Sequence, residues 1–543
     1  MRPIGDVAAD LGIPAGSLET YGEWKAKLDL TLVPKLSEPL RGKLILITGM
    51  TPTPFGEGKT VTAIGVGMGL AKLGKRAAIS VRQPSLGPTF GVKGGAAGGG
   101  RCTVEPMQDI NLGFTGDIDA IGAAHNLLAA MVDNHIFHGN ALGIDSDAIS
   151  WPRVLDMNER ALRAIRVGLG ETKQGVEHDS SFMITAASEV MAALGLSRDY
   201  ADLKARLGRI IVATNKRGEP VTAADLKAVG AMAALLKRAL RPNLVQTAEG
   251  TPALVHGGPF GNIAHGTSSI ASILLGLRYA DYTVVEAGFA TDLGAEKFVD
   301  IVTRTTGVPV DAAVIVATVK ALRYHGGVDK NRLDDPNAEA VARGIENLAK
   351  HVENVRLYGL TPIVALNRFP SDTDEEVALV FEFSRTVNVP FAVSTAFADG
   401  GEGATRLAEL VVAAAAKGEK SRPVYSLGAK TAEKIEKVVR DVYGGKEVKY
   451  EPRALDDLER ISKLGLDSNP ICVAKTPLSF SDDAGKLGRP RGFTVTVKKV
   501  RAAAGAGFNV VYMGDIVTMP GLPSHPLAEE IDLSDDGTIT GLR

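Results

Sequence analysis

Lys59 and Thr60 close the run Thr53-Pro54-Phe55-Gly56-Glu57-Gly58-Lys59-Thr60, which follows an apolar stretch at residues 44–48 and leads into a helical stretch reaching Leu73. Strand, glycine-bearing turn and helix is the setting in which a loop binds phosphate. Backbone N–H groups at the helix start meet phosphate oxygens, the Lys59 ammonium meets the terminal phosphate, and the Thr60 hydroxyl suits a magnesium ion. The run departs from the common G-x-x-x-x-G-K-[ST] form, because Thr53 takes the place of the first glycine. A second run, Val81-Arg82-Gln83-Pro84-Ser85-Leu86-Gly87-Pro88-Thr89-Phe90-Gly91-Val92-Lys93, continues into Gly94-Gly95-Ala96-Ala97-Gly98-Gly99-Gly100. Arg82 ends another apolar stretch, so its guanidinium is expected at a strand's carboxyl end, where open parallel sheets bind ligands. Its planar fork suits a carboxylate or a phosphate. Pro84 and Pro88 stiffen the segment, and the small residues let a substrate approach backbone closely.

The elements that must position these residues are short, nearly all-apolar runs at 44–48, 210–213, 283–286, 313–317, 363–366 and 509–513. Strands without polar alternation are covered on both faces, which predicts a mostly parallel sheet in an α/β protein. Helices separate them; residues 222–240 read as a capped, alanine-rich helix, and residues 430–443 as helical by spacing. Three units are expected: a domain over 1–359 that carries the phosphate-type loop and binds nucleotide, an α/β domain over 360–450, and a C-terminal α/β domain over 451–543. The punctuated stretch 417–423 reads as a linker.

A length of 543 residues exceeds what one core usually supports, in keeping with several domains. A net charge of -2 gives no electrostatic footprint for nucleic acid or an anionic membrane. Cys102 and Cys472 stand far apart, outside any metal-ligand spacing, which fits a reducing compartment. The N-terminal residues lack a basic segment followed by an apolar run, and no stretch of about 18 apolar residues occurs, so the expected location is the cytoplasm.

The motifs together resemble the formate-tetrahydrofolate ligase family over nearly the whole chain. The first run is followed in register by the second, then by F-T-G-D-I-D-A-I from Phe114, N-L-V-Q-T from Asn243, H-G-G-P-F-G-N-I-A-H-G from His256, E-A-G-F-A-T-D-L-G-A-E-K-F from Glu286, N-R-F-P-S-D from Asn367 and G-D-I-V-T-M-P-G-L-P from Gly514. The resemblance implies a homotetramer of three-domain subunits in one-carbon metabolism, using ATP with magnesium and supported by a monovalent cation (potassium or ammonium). It implies phosphorylation of formate to formyl phosphate and attack on it by the bridging nitrogen of tetrahydrofolate. Lys59 and magnesium would then serve the transferring phosphate, Arg82 formate and formyl phosphate, and Asp117 the substrates as the matched acid. Phe369 and Phe397 match the pair that sandwiches the pterin, with Phe289 a third candidate at that pocket.

This chain departs from the pattern at several places. Gln83 stands where many relatives carry glutamate; an amide takes no proton, so Gln83 is expected only to orient substrate. Phe397 replaces tryptophan, Asp399 a lysine and Phe55 an alanine, while Thr267-Ser268 replace Cys-Asn and Pro477-Leu478 replace Gln-Tyr. Weaker folate binding is expected from the smaller ring and the lost charge. His256 and His265 invite a general-base reading but have no carboxylate partner in the sequence, and read better as structural. The alternative from a different class is a nucleotide-controlled switch or partner-loading ATPase, which has no use for Arg82, the glycine run or the Phe369/Phe397 pair; another carboxylate-activating ligase would differ only in its acceptor.

Overall fold

The computed structural model describes residues 1–35, 37–91, 97–170 and 175–542. Lys43–Gly49 forms a strand because its Leu and Ile side chains are buried on both faces, and this strand lies inside one large sheet of an α/β fold. The sheet runs in the order Leu18–Thr20, Ala26–Leu28, Asn243–Thr247, Pro252–Val255, Ala77–Val81, Tyr282–Glu286, Lys43–Gly49, Ala312–Thr318, Pro362–Asn367 and Phe391–Ser394. From Pro252–Val255 onward every neighbouring pair is parallel, while the strands before it join antiparallel. The strands at 362–367 and 391–394 thus continue the sheet that holds the Thr53–Thr60 run.

Helix Lys59–Lys72 covers one face of this sheet, with Ala63, Val66 and Leu70 in a core shared with Ile45, Ile47 and Val314. Its glycines permit the approach. A Cβ at Gly67 would stand 2.3 Å from Ile79 Cγ1, so the helix lies on strand Ala77–Val81 only because that position is bare. No helix among the described residues is long and apolar enough to cross a membrane.

Several expected elements differ. The apolar run at 210–213 does form a strand, Ile211–Asn215, but it pairs antiparallel with Pro220–Thr222 and Ile144–Ile149 in a small separate sheet. Strand Phe508–Met513 likewise leaves the large sheet, pairing parallel with Ile471–Lys475 and antiparallel with Lys499–Ala503. All-apolar character reports burial on both faces, not which sheet supplies it. The helix expected over 222–240 is reduced to Val229–Leu235. Thr222 instead ends a strand, its N–H and hydroxyl both donate to Asp225 Oδ2, and Lys227 takes a left-handed φ of 56°. Turn chemistry outcompetes the alanine-rich helix there. Residues 430–443 are helical, as Thr431–Lys437 continuing into Val438–Tyr443.

Candidate active site

The carboxyl ends of the parallel strands meet at one rim, and nearly every residue singled out by chemistry stands on it. Gly49 leads into the Thr53–Thr60 loop, Val81 into Arg82, Glu286 ends its own strand, Thr318 and Asn367 end theirs, and Phe397 follows Ser394. This is where a parallel sheet opens into a ligand crevice.

The loop is shaped from inside. Glu57, 2% exposed, accepts the Thr53 backbone N–H at 2.6 Å and also the Thr318 hydroxyl. Burial pushes its carboxyl above the usual carboxylate range, against the pull of these donors. The Thr53 hydroxyl accepts the Phe55 N–H at 3.2 Å, so threonine supplies by side-chain bonding the turn that a glycine would give by freedom. Gly56 and Gly58 both take left-handed φ, 88° and 71°, and Gly58 caps the helix that Lys59 begins. A Cβ at Gly49 would stand 3.2 Å from Lys59 Cδ, so the lysine stem crosses bare backbone at the strand end. Phe55 points away from this packing and is 73% exposed. Pro54 is exposed beside it.

Glu286 draws the separate motifs together. Its Oε2 accepts the Thr60 hydroxyl at 2.7 Å, and its Oε1 lies 3.3 Å from Arg82 Nη2 and 3.4 Å from Nε. A hydroxyl and a carboxylate at this distance form the hard oxygen pair that suits magnesium, which takes one or two protein oxygens and leaves the rest to water and phosphates. Thr60 and Glu286 therefore fit that metal. Asn367 ties the next strand in: its Nδ2 donates to Glu57 O at 2.9 Å, and its Oδ1 accepts the Thr62 hydroxyl at 3.1 Å.

Two rings stand out from the same rim. Phe397 is 63% exposed in the short helix Ala396–Asp399, beside exposed Asp399. Its carbonyl accepts the Arg101 N–H at 2.8 Å, and a Cβ at Gly99 would stand 3.2 Å from its ring. The far end of the glycine run thus holds this ring, while Val92 to Ala96 lie outside the described residues. Phe369 is part-exposed after strand Pro362–Asn367, with Lys320 Nζ 4.9 Å from its ring centre. Phe289 is half-buried with a left-handed φ of 61°, on a cavity that Arg82 also lines.

Other expected residues sit further back. Asp117 heads helix Asp117–Phe137 and is buried, accepting Lys27 Nζ and Asn243 Nδ2, each at 2.7 Å. Gln83 fixes its backbone by donating to Gly257 O at 2.6 Å, while both atoms of its buried amide lack a partner. His256 is sandwiched between Ser269 Oγ and Ala239 O, each at 2.7 Å, and burial lowers its pKa to about 4. Burial lowers His265 to about 3. Neither ring is poised as a base near neutrality.

Glu286 and Asn367 were assigned no role from sequence. Each closes an apolar run, T-V-V-E and I-V-A-L-N, and a polar residue in that place is the available signal.

Fold and site together define an α/β enzyme whose strand ends combine clustered cations, a buried carboxylate and exposed aromatic rings. Over residues 1–543 the chain matches the family described as formate--tetrahydrofolate ligase, and it belongs to that family. Its reaction is the ligation of formate to tetrahydrofolate.

Proposed function

We propose that the chain makes 10-formyltetrahydrofolate by consuming ATP, through formyl phosphate, as an enzyme of one-carbon metabolism. The observation that carries this reading is the contact of Thr60 and Arg82 on the two oxygens of Glu286, which unites a phosphate-type loop and an anion-binding arginine in one site. Formate is a poor electrophile, with charge shared over both oxygens and no leaving group. A formate oxygen attacks the γ-phosphorus, the bond to the ADP oxygen breaks, and ADP departs. The bridging nitrogen of tetrahydrofolate then attacks the formyl carbon, phosphate leaves with the formate oxygen, and the nitrogen loses its proton.

Such transfer is catalysed by positioning and charge neutralisation. Backbone N–H groups over Glu57 to Lys59 cradle the phosphates, those of Thr53 and Phe55 being bonded within the loop, and the Lys59 ammonium meets the transferring group. Thr60 and Glu286 would hold magnesium, which when bound neutralises charge developing on the phosphates. Arg82 orients formate and then formyl phosphate, with Gln83 aligning the segment beside it. Phe369 and Phe397 clasp the pterin, and Phe289 closes its edge. Asp117 serves as a positioning residue, anchoring Lys27 and Asn243 behind the rim. A monovalent cation, a homotetramer and a cytoplasmic location complete the reading.

The test is product formation with each substrate omitted in turn. ADP and 10-formyltetrahydrofolate should appear together only when ATP, formate and tetrahydrofolate are all present. ATP turnover that ignores formate and folate would instead mark a nucleotide switch.

A further inference from the structure

The helix over residues 291–306 follows the turn that carries Glu286 and Phe289, and it widens to π geometry at Thr291–Ala295 and again at Phe298–Val302. Wide turns of this kind are frequent at functional sites. Glu296 and Asp300, one turn apart in it, are both fully buried. Asp300 Oδ1 accepts the Val424 N–H at 3.0 Å and Arg304 Nη2 at 3.1 Å. Asp300 Oδ2 and both Glu296 oxygens are buried and have no hydrogen-bond partner. Two ionised carboxylates so placed would be strongly unfavourable.

One proton removes most of that conflict. The two carboxyls lie within hydrogen-bond reach of each other, and a protonated Glu296 has the single O–H donor that Asp300 Oδ2 lacks. Burial, and next the like charge of Asp300, hold the Glu296 carboxyl well above the usual range. Lys297, its neighbour in the chain, favours the ionised form but weighs less than either. Asp292 of the same helix is paired with Lys475 Nζ at 2.9 Å, and Arg304 with Asp300. From the elements packed around the pair come Tyr358, Tyr425, Tyr443 and Cys472, all kept neutral by burial.

This helix bears on the site through bare backbone. A Cβ at Gly294 would stand 1.8 Å from Gly288 O, one at Gly266 would stand 2.7 Å from Gly294 O and from Phe298 N, and one at Gly288 would stand 3.1 Å from Arg82 Nη1. With no side chain between them to absorb a movement, a shift of the helix reaches the Gly288 turn and the guanidinium beside it.

We propose that Glu296 and Asp300 share one proton, the Glu296 O–H donating to Asp300 Oδ2, and that this bond seats the helix against the Gly288 turn, which makes the pair positioning residues for Arg82. The effect on formate rests on the role proposed for Arg82; the shared proton does not. A carboxyl that is protonated in the fold and ionised in the unfolded chain stabilises fully below the ordinary glutamate value of 4.5, and that contribution is lost as pH rises through the folded value.

Glu296→Gln keeps a donor for Asp300, as an amide N–H, and removes the proton. Denaturant unfolding of full-length wild type and variant between about pH 5 and about pH 6.5 should show their unfolding constants diverging by about tenfold per pH unit, the wild type becoming relatively less stable as pH rises. Formate affinity, followed by NMR of 13C-labelled formate near neutral pH, should stay within twofold of wild type in Glu296→Gln. In Glu296→Ala, which leaves Asp300 without its donor, it should fall by about 10- to 100-fold, the worth of one misplaced charge-assisted hydrogen bond, with ATP affinity within twofold. Should Glu296→Gln not fold, Asp300→Asn takes its place: its amide donates to an ionised Glu296, and the same divergence from wild type is expected. Unfolding constants in a fixed ratio across that range would overturn the shared proton. Formate affinity of folded Glu296→Ala within twofold of wild type would overturn the positioning role, as would a wild type that binds no formate. Both results as expected, in a protein that forms no 10-formyltetrahydrofolate, would sink the proposed reaction and leave the proton-sharing pair standing.

Discussion

Gly100→Ala should weaken folate binding without altering any residue assigned to a substrate. Gly100 has a φ of 58°, and a Cβ there would lie 2.0 Å from the Phe397 carbonyl oxygen. That distance is impossible, so the Phe397 segment or the glycine run must move. The left-handed conformation costs an alanine about 1–2 kcal/mol. Losing the Arg101 N–H bond to Phe397 O adds about 0.5–1.5 kcal/mol. Together these amount to about 1.5–3.5 kcal/mol, enough to shift a short helix whose ring is 63% exposed and has little packing to hold it. A displaced ring forfeits its stacking, about 1–3 kcal/mol, which corresponds to about a 5- to 150-fold rise in the tetrahydrofolate KM. The assay is steady-state kinetics with each substrate varied, beside thermal melting. A lower melting temperature with folate KM raised at least fivefold, and ATP and formate KM within twofold, is expected. An unchanged folate KM in a protein whose melting point has dropped would refute the assignment of Phe397 to the pterin.

Phe397→Ala should raise the folate KM by the same 5- to 150-fold, and Phe397→Trp, which enlarges the face, should lower it below wild type. A folate KM indifferent to all three ring sizes would remove Phe397 from the pocket. Gln83→Glu places a carboxylate where neither amide atom has a partner, so it should lower stability by several kcal/mol and leave turnover short of a hundredfold gain. A variant that melts like wild type and turns over a hundredfold faster would contradict this. His256, at about 4 in the fold against about 6.5 unfolded, stabilises fully above pH 6.5 and loses that contribution as pH falls toward 4. Its slope is about 1.4 kcal/mol per pH unit. Stability of His256→Gln by denaturant unfolding should therefore fall less steeply between pH 6.5 and 4.5, and parallel curves would show that the ring is not buried neutral.

Much of the site was legible because its motifs depend on local chemistry. Gly-Lys-Thr after an apolar run specifies strand, turn and helix by spacing alone, and Arg82 at the end of another such run goes to the same rim. Partnerships between distant segments were not legible. Glu286 meets Thr60 and Arg82 only because its strand inserts between theirs, an order of the sheet that no local pattern encodes. Asp117 read as a polar group among the substrates, yet Lys27 and Asn243, far apart in sequence, close around its two oxygens. The strand at 211–215 and the lost turns of the 222–240 helix share one cause: apolar and alanine-rich composition registers burial and propensity, while Asp225 and Lys227 fix a turn by side-chain bonding and left-handed backbone. Phe55, an odd residue for a loop that hugs phosphate, is resolved by exposure, since its ring stands out in solvent and leaves the loop interior to Glu57.

The central claim is that formate attacks phosphorus in this site before its carbon meets folate. Formate carrying 18O in both oxygens, turned over with unlabelled ATP and tetrahydrofolate, should yield inorganic phosphate with one 18O per molecule and a formyl group retaining the other. Phosphate free of label, formed at the same rate as 10-formyltetrahydrofolate, would contradict it.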